Sequence, residues 1–252
     1  MPELSISLWL VVAAIALLAG FVKGTVGFAL PMILVSGLGS FLPPETAIAG
    51  LLLPTLATNA FQAFRDGVGA ALASARRHWR FVLVVMIMIA LSAQIVVALR
   101  AETLFLVIGV PVTLFAFLQL AGLRLRVSRA RRWVAEVPLA LVAGFTGGLS
   151  GIWGPPTVLY LTALDTPRVE QMRVQGIVYG VGAVVLTLAH IRSGLLNAET
   201  GTFSALLLAP ILAGLFLGVA VQDRLDQIRF RRITLVVLAV AGLNLVRRGL
   251  FG

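Results

Sequence analysis

The sequence contains no cysteine and only two histidines. Without cysteine there can be no disulfide, no thiolate metal ligand and no thiol redox pair. Two histidines disfavour a conventional metal cluster. We also find no paired nucleophile and base and no metal-ligand spacing, so we expect neither a cofactor nor a metal, and no enzymatic activity.

Charged residues are scarce as well. They make up 12% of the 252 residues, about half of the roughly 25% typical of a soluble domain, while 60% are hydrophobic. Several uncharged stretches reach the roughly 20 residues needed to cross a bilayer. These stretches are 4–22, 46–64, 81–99, 103–122 and 203–221. The sequence therefore predicts an all-α polytopic protein of the cell inner (plasma) membrane, in contact with the lipid bilayer.

Positive charge is abundant, with a net charge of +10. The arginines gather in short loops between the apolar stretches, as the positive-inside rule predicts for a membrane protein. We therefore expect no nucleic-acid partner. No Lys or Arg precedes the first stretch, so it lacks the basic region of a cleaved signal peptide and is expected to be a retained span.

An internal duplication appears when the sequence is shifted by 124 residues. The matches are mostly Gly and Pro, which fix backbone geometry, so they indicate a repeated three-dimensional feature. Repeats 1–122 and 134–252 flank the linker 123–133, which is predicted to be cytoplasmic because it is rich in arginine. The aligned positions include Gly20 with Gly144, Gly24 with Gly148, Gly27 with Gly151 and Pro31 with Pro155.

The topology depends on segment 137–164, which is too long for one crossing and too short for two full ones. If the segment crosses once, each repeat has four spans and the repeats are parallel. If it forms two short elements that count as two crossings, each repeat has five and the repeats are inverted. Three loops favour the inverted arrangement, which we expect, whereas Arg247 and Arg248 near the end of the chain favour the other.

Each repeat is predicted to begin with a helix that breaks inside the membrane, over residues 24–31 in the first repeat and 147–156 in the second. The start of a half-helix offers free N–H donors and a positive dipole end, so two such starts near the bilayer midplane would bind an anion. Close helix packing by the glycines and snorkelling of the lysine are the alternatives. The candidate residues are Lys23, Gly24, Thr25, Gly27 and Pro31 in the first break, and Gly148, Gly151, Trp153, Gly154 and Pro155 in the second.

Polar residues also mark the helix after each break. Asn59 and Gln62 lie three residues apart, with Arg65 three further on, which places them on one helix face. Arg173 and Gln175 occupy the equivalent helix of the second repeat. Substrate contact and helix–helix hydrogen bonding both remain open for these residues. No Asp or Glu lies well inside a span, which disfavours a carboxylate-based ion relay.

The chain resembles the TauE/SafE family of sulfite and organosulfonate exporters over nearly its whole length. Segment 20–28 looks like the opening motif of the family, and segment 154–160, ending at Tyr160, is similar to its second-half motif. The resemblance implies an exporter of sulfite, sulfoacetate or a related anion. The sequence departs from glycine-richer members at Ala29, Leu30 and Trp153, which bears on the size of the substrate.

From these features we expect a secondary transporter, and more specifically an exporter, of a small anion. The anion would bind between the two half-helix N-termini. The alternatives are an anion channel that uses the same breaks as a filter, or a structural membrane protein without transport activity. A coupling ion, H⁺ or Na⁺, and an oligomeric assembly are left open.

Overall fold

The protein is described from a computed structural model. It describes residues 5–122, 127, 132–222, 224 and 226–251, so most of the predicted linker 123–133 lies outside the described residues. All regular elements among the described residues are helical. They are α1 Ile6–Val26, α2 Leu30–Leu38, α3 Pro44–Phe64, α4 Val68–Arg77, α5 Trp79–Ser92 with a 3₁₀ extension Ala93–Ala98, α6 Ala101–Leu120, α7 Arg132–Ser150, α8 Gly154–Ala163, α9 Arg168–Arg192, α10 Ala198–Val221 and α11 Gln227–Phe251.

Eight helices of the described chain are long and apolar enough to cross a membrane. Five of them, α1, α3, α5, α6 and α10, coincide with the five uncharged stretches of the sequence. The other three are α7, α9 and α11, whose charged ends obscure them in a search for uncharged runs. The prediction of an all-α polytopic membrane protein is confirmed.

The helix α1 is followed by a half-helix that turns back along it. Gly27 ends α1 at a φ of +82°, and Ala29 precedes α2 at a φ of +78°. Gly37, near the end of α2, lies against Ile15 in the middle of α1. Since α2 begins beside the end of α1, this contact shows that the two helices are antiparallel.

The pair α7 and α8 forms a similar hairpin. Gly151 follows α7 at a φ of +71°, and Trp153 lies against Gly147. Towards the other end of the hairpin, the hydroxyl of Tyr160 donates to Glu136 at 3.2 Å. The half-helices α2 and α8 begin at residues 30 and 154, which are 124 positions apart, as are the starts of α3 and α9 at residues 44 and 168.

The breaks are shorter than the sequence suggested. We expected them to extend over 24–31 and 147–156, but the helical hydrogen bonding of α1 continues to Val26 and that of α7 to Ser150. The non-helical residues are therefore 27–29 and 151–153. A glycine inside a helix is tolerated at a cost of about 1 kcal/mol, so Gly24 and Gly148 weaken the helix without ending it.

Contacts between helices define their relative directions. The rings of Trp9 and Phe203 lie 5.9 Å apart and Gly24 meets Gly218, so α1 and α10 run parallel. In contrast, α3 and α9 run antiparallel, because Gly176 lies against Ala63 and Gly180 against Asn59.

The remaining long helices pair in the same way. Gly144 on α7 lies against Val85 on α5, and Gly148 lies against Ser92, so α5 and α7 run parallel. On α11, Gly242 contacts Thr113 of α6 and Gly249 contacts Leu106, so these two helices are antiparallel. In each of the pairs α6–α11 and α3–α9, one helix comes from segment 1–122 and the other from segment 134–252, and the two run in opposite directions.

One end of the bundle, here called the arginine-rich end, is where α3 and α10 finish and where α5, α7 and α9 begin. Several contacts join these termini. Arg65 bonds Gln222, Arg173 bonds Asp66, and Arg132 lies 3.2 Å from the ring nitrogen of His78. The opposite end carries Arg100 after α5 and Arg192 at the end of α9.

Glycine allows the closest helix contacts. A Cβ atom built on Gly20 would lie 2.1 Å from the carbonyl oxygen of Ile211, and one on Gly214 would lie 2.1 Å from that of Leu17. Such distances exclude any side chain at these positions unless α1 and α10 separate. Gly24 and Gly148 make backbone contacts of the same kind, with α10 and with α5.

Candidate functional site

Lys23 is the only lysine of the chain and lies buried near the end of α1, with 3% of its surface exposed. Its Nζ donates to Oδ1 of Asn59 at 2.5 Å and to Oε1 of Gln62 at 2.7 Å. Both partners are neutral side chains of α3. Among the described residues, no carboxylate forms an ion pair with Lys23.

The two breaks meet beside Lys23 around one central cavity. The lining comes from both breaks and from the helices α3 and α9. The enclosed space is only about 10 Å³, which is the room needed for about one water molecule. The lining includes Lys23, Ala29, Pro31, Thr55, Asn59, Gly151, Trp153, Gly154 and Tyr179.

The starts of both half-helices line the cavity with different numbers of backbone donors. Pro31 is in the first turn of α2 and has no N–H, which leaves those of Leu30 and Met32 without an intrahelical acceptor. In α8, Pro155 and Pro156 both lack an N–H. The first turn of α8 therefore offers fewer donors than that of α2, and Lys23 supplies the full positive charge.

One further polar atom of the lining is unpaired. The hydroxyl of Thr55 on α3 is buried and has no hydrogen-bond partner. Buried polar side chains are nearly always bonded, so an orphaned hydroxyl in a cavity fits a ligand or water that bonds it. The sequence gave no reason to single out Thr55, because threonine is common on helix faces in membranes.

Aromatic side chains close the cavity on the side of the second repeat. Trp153 is 1% exposed, and its ring lies 6.1 Å from that of Tyr179, whose hydroxyl donates to the carbonyl of Gly154 at 3.4 Å. Nζ of Lys23 lies 5.5 Å from the centre of the Tyr179 ring, a distance typical of a cation–π contact. Trp153 occupies the position equivalent to Ala29, so its bulk fills space that the first repeat leaves open.

A larger cavity reaches Lys23 from the arginine-rich end. This vestibule encloses about 230 Å³, and its lining includes Lys23, Gln62, Arg65, Asp66 and Arg173. Gln62 and Met172 both line the vestibule, and Nε2 of Gln62 donates to the carbonyl of Met172 on α9 at 2.9 Å. Lys23 lines both spaces and so lies at the junction between them.

The predicted residues of α9 lie near the vestibule. Arg173 donates from Nε and Nη2 to one carboxylate oxygen of Asp66, at 3.1 and 2.8 Å, which places it at the vestibule rather than in the central cavity. Gln175 is buried beside Gly27, and its Oε1 has no hydrogen-bond partner. Gln175 therefore lies close to the first break.

Several predicted site residues bond the helix backbone, pack against it or determine where a helix ends. The hydroxyl of Thr25 donates to the carbonyls of Phe21 and Val22 within α1. Gly24 and Gly148 face neighbouring helices, so close packing, the alternative reading of the glycines, accounts for both. Gly27 and Gly151 adopt the left-handed conformation that ends each first helix, and this conformation favours glycine.

Tyr160 lies away from the central cavity, towards the end of α8. Its hydroxyl accepts from Nη2 of Arg132 at 2.6 Å and lies 3.0 Å from Nδ1 of His78, and its ring stacks on Phe81 at 4.2 Å. Glu136 completes this buried cluster. Tyr160 thus anchors the half-helix to α5 and α7, and its motif position alone could not reveal this role.

The cluster also affects His78, which precedes the span formed by α5. Burial, helped by the positive charge of Arg132, lowers the pKa of His78 to about 4. The neutral imidazole can then accept a hydrogen bond at Nδ1 from Arg132. The sequence gave no reason to expect that His78 and Glu136 both contact Tyr160 in a buried cluster.

Comparison with known protein families matches residues 12–245 to the family described as sulfite exporter TauE/SafE. The match covers nearly the whole chain. The chain belongs to the TauE/SafE family. The match confirms the family resemblance seen in the sequence. As a TauE/SafE protein the chain is a multi-pass membrane transporter and not an enzyme.

No match was found among curated proteins or among solved structures. The assignment of this TauE/SafE protein to transport therefore rests on the family and on its membrane-spanning helices. Proteins of this family are described as exporters of sulfite and related compounds.

Proposed function

We propose that this TauE/SafE protein is a secondary transporter that exports a small anion across the inner (plasma) membrane. The anion would be sulfite, an organosulfonate or a related organic anion. It binds at Lys23, between the starts of α2 and α8. The observation that carries the proposal is the buried ammonium group of Lys23, which lies where the two breaks meet and has no acidic partner among the described residues.

The electrostatics of this arrangement favour an anion. A buried charge is costly unless an opposite charge compensates it, and the amide oxygens of Asn59 and Gln62 supply only dipoles. An anion beside Lys23 would provide the missing charge. It would also accept hydrogen bonds from the free N–H groups of α2 and from the hydroxyl of Thr55.

The two cavities support alternating access rather than a continuous pore. The central cavity has room for about one water molecule, too little for sulfite, while the vestibule reaches Lys23 from the arginine-rich end. Transport then requires α3 and α9 to move apart so that Gln62 releases Met172, and the half-helices to separate so that the anion enters. A channel would need a filter open to both sides, which supports the transporter over the channel.

A structural protein without transport activity is the other alternative. Such a protein gains nothing from a lysine buried beside a wet vestibule, because a lysine inside a membrane span costs about 2.5–3.5 kcal/mol or more. The vestibule and the unpaired hydroxyl of Thr55 favour a ligand-binding role.

We also propose that the two repeats are inverted relative to each other. The support comes from helix directions. The helices α3 and α9 are equivalent in the two repeats and run antiparallel, as do α6 and α11. Each repeat also contains a full helix followed by a half-helix that turns back, which makes the number of passages in each repeat odd.

The distribution of arginine supports one orientation in the membrane. The opposite end carries Arg100, Arg192, Arg247 and Arg248. The described arginines at the arginine-rich end are more numerous and include Arg65, Arg76, Arg77, Arg80, Arg132, Arg173, Arg224, Arg229 and Arg232. By the positive-inside rule the arginine-rich end is cytoplasmic, so the vestibule opens to the cytoplasm, as export requires.

Anion binding can be tested by thermal unfolding of the purified protein with sulfite, thiosulfate, methanesulfonate and acetate. A ligand at about 100 times its Kd stabilises the folded state by about 2.7 kcal/mol, which raises the melting temperature measurably. We expect at least one sulfur oxyanion to stabilise the wild type more strongly than it stabilises Lys23→Gln. Because Na⁺ is a candidate coupling ion, the screen is run in sodium and in potassium buffers.

Arg80→Gln provides the matched control, since Arg80 is an exposed arginine at the same end and lies outside both cavities. It should respond to anions as the wild type does. Equal stabilisation of the wild type and of Lys23→Gln by the same anion would show that Lys23 does not form the site.

A further inference from the structure

The vestibule is lined by charged and by apolar side chains. The charged ones are Lys23, Arg65 and Arg173 with the single carboxylate of Asp66. The apolar ones, here called the apolar wall, are Phe61, Val169, Leu215 and Val219. A cavity that only conducted a hydrated inorganic anion would not need the apolar wall.

Arg65 is the cation of this vestibule that has room for a ligand. Arg173 already bonds Asp66 through two of its nitrogens, and Lys23 is held by two amide oxygens. Among the described residues, Arg65 makes one long hydrogen bond, 3.4 Å to Oε1 of Gln222. Among the described residues, no carboxylate forms an ion pair with Arg65, so its planar guanidinium can bind an anionic group through two parallel hydrogen bonds.

The apolar wall lies within the same cavity as Arg65. Val169, in the first turn of α9, is 62% exposed, although an exposed valine gains nothing from contact with water. Leu215 and Val219 lie one turn apart on α10 and extend the wall towards Lys23. An anion held at Arg65 would therefore place any organic substituent against these side chains.

The size of the vestibule limits the ligand. Its volume of about 230 Å³ lies below the range of roughly 300–1,000 Å³ typical of pockets for drug-sized molecules. It is far larger than the central cavity, which has room for about one water molecule. The vestibule therefore fits a small organic anion with a short apolar body.

We propose that the vestibule is a separate loading site, in which Arg65 binds the head group of a small organic anion and the apolar wall binds its body before the anion reaches Lys23. The inference rests on the proposed transport function and narrows its substrate class to anions with an apolar substituent. The selection of the substrate then occurs in the vestibule, outside the closed central cavity.

The inference is tested by measuring the apparent affinity for anions presented at the cytoplasmic face of oriented membrane vesicles. The probes are methanesulfonate and butane-1-sulfonate, which share a head group and differ by three methylene groups. At about 0.8 kcal/mol for each buried methylene, butane-1-sulfonate should bind up to about 50-fold more tightly to the wild type. Equal affinity for the two sulfonates would overturn the apolar part of the inference.

Two variants test the charged and the apolar parts of the vestibule separately. Arg65→Gln should weaken the binding of both sulfonates by about tenfold or more, because it removes a hydrogen-bonded charge. Val169→Asn should weaken butane-1-sulfonate by several-fold and leave methanesulfonate unchanged. Arg80→Gln and Leu72→Asn are the matched controls, because both residues are exposed at the same end and lie outside the vestibule.

Failure of the loading site is distinguishable from failure of the transport function. If Arg65→Gln leaves both affinities unchanged while Lys23→Gln abolishes transport, the loading site is refuted and the proposed function stands. If Lys23→Gln transports normally, the proposed function fails and the inference fails with it.

Discussion

At the scale of the residue, Lys23 matters because it differs from every other cation in the chain. Of the 20 Lys and Arg residues, Lys23 is the single lysine, and among the described residues it is the one of them that lies buried in a span. An ammonium group is a compact point charge with rotatable donors, so it fits between Asn59 and Gln62 where a planar guanidinium would not. The same compactness allows Lys23 to face the vestibule and the central cavity in turn.

The contacts of Lys23 were largely predictable, but those of Tyr160 were not. A lone charge in an apolar run and a stripe of amide side chains on the next helix are expected to be partners, because unpaired polar groups are costly in a membrane. Tyr160 has no such sequence partner. Its contacts come from His78 and Arg132, which are distant in the chain and become neighbours only when α8 turns back along α7.

His78 gives a prediction on pH dependence. Burial lowers its pKa to about 4, whereas the unfolded chain has a value of about 6.5, so the unfolded state binds more protons between these values. Stability contributed by neutral His78 is therefore complete above about pH 6.5 and is lost as the pH falls towards 4. From pH 7.5 to pH 5 the free energy of unfolding should fall by about 2 kcal/mol on this account.

The measurement compares the wild type with His78→Asn, whose amide oxygen can replace Nδ1 as an acceptor. Other titrating groups cancel in the difference between the two proteins. The difference in unfolding free energy should change by about 2 kcal/mol between pH 7.5 and pH 5. A difference that stays constant over this range would show that His78 is not held neutral by the fold.

At the scale of the element, the half-helices α2 and α8 determine the architecture. Each is too short to cross a membrane alone, yet each returns the chain towards the end from which it came. The sequence revealed where the chain breaks, because Gly and Pro are concentrated there. It could not reveal that α1 and α7 remain helical up to Val26 and Ser150, because intact hydrogen bonding through a glycine depends on packing against α10 and α5.

Inversion of the repeats can be tested by labelling single cysteines, since the chain has none of its own. Asp226→Cys lies between α10 and α11 and should react with an impermeant thiol reagent only from the cytoplasmic side. Arg100→Cys lies between α5 and α6 and should react only from the opposite side. Labelling of both cysteines from the same side would contradict the proposed topology.

At the scale of the whole molecule, similar hairpins carry different side chains. The positions of the second repeat equivalent to Lys23, Asn59 and Gln62 are Gly147, Ala183 and Leu186. The predicted first repeat therefore supplies the charge, and the second supplies the aromatic side chains of Trp153 and Tyr179 that close the central cavity. The hairpin of the second repeat, α7 and α8, instead carries the buried cluster of Arg132, Glu136 and Tyr160.

This asymmetry bears on the conformational change of the molecule. The half-helix α8 is held at the arginine-rich end through Tyr160, whereas Lys23 on α1 and Gln62 on α3 line the vestibule and bond each other. Binding of an anion at Lys23 would compete with the amide oxygens and so weaken the closure between Gln62 and Met172. A substrate that binds the open state more tightly than the closed one shifts the population towards it.

Counterflow in proteoliposomes tests the central claim most directly. Vesicles loaded with unlabelled sulfite are diluted into labelled sulfite. A parallel experiment uses unlabelled butane-1-sulfonate inside and labelled butane-1-sulfonate outside. The account predicts transient, saturable accumulation of label by the wild type and none by Lys23→Gln of equal abundance and thermal stability in buffer. Accumulation by Lys23→Gln at the rate of the wild type, with either anion, would contradict it.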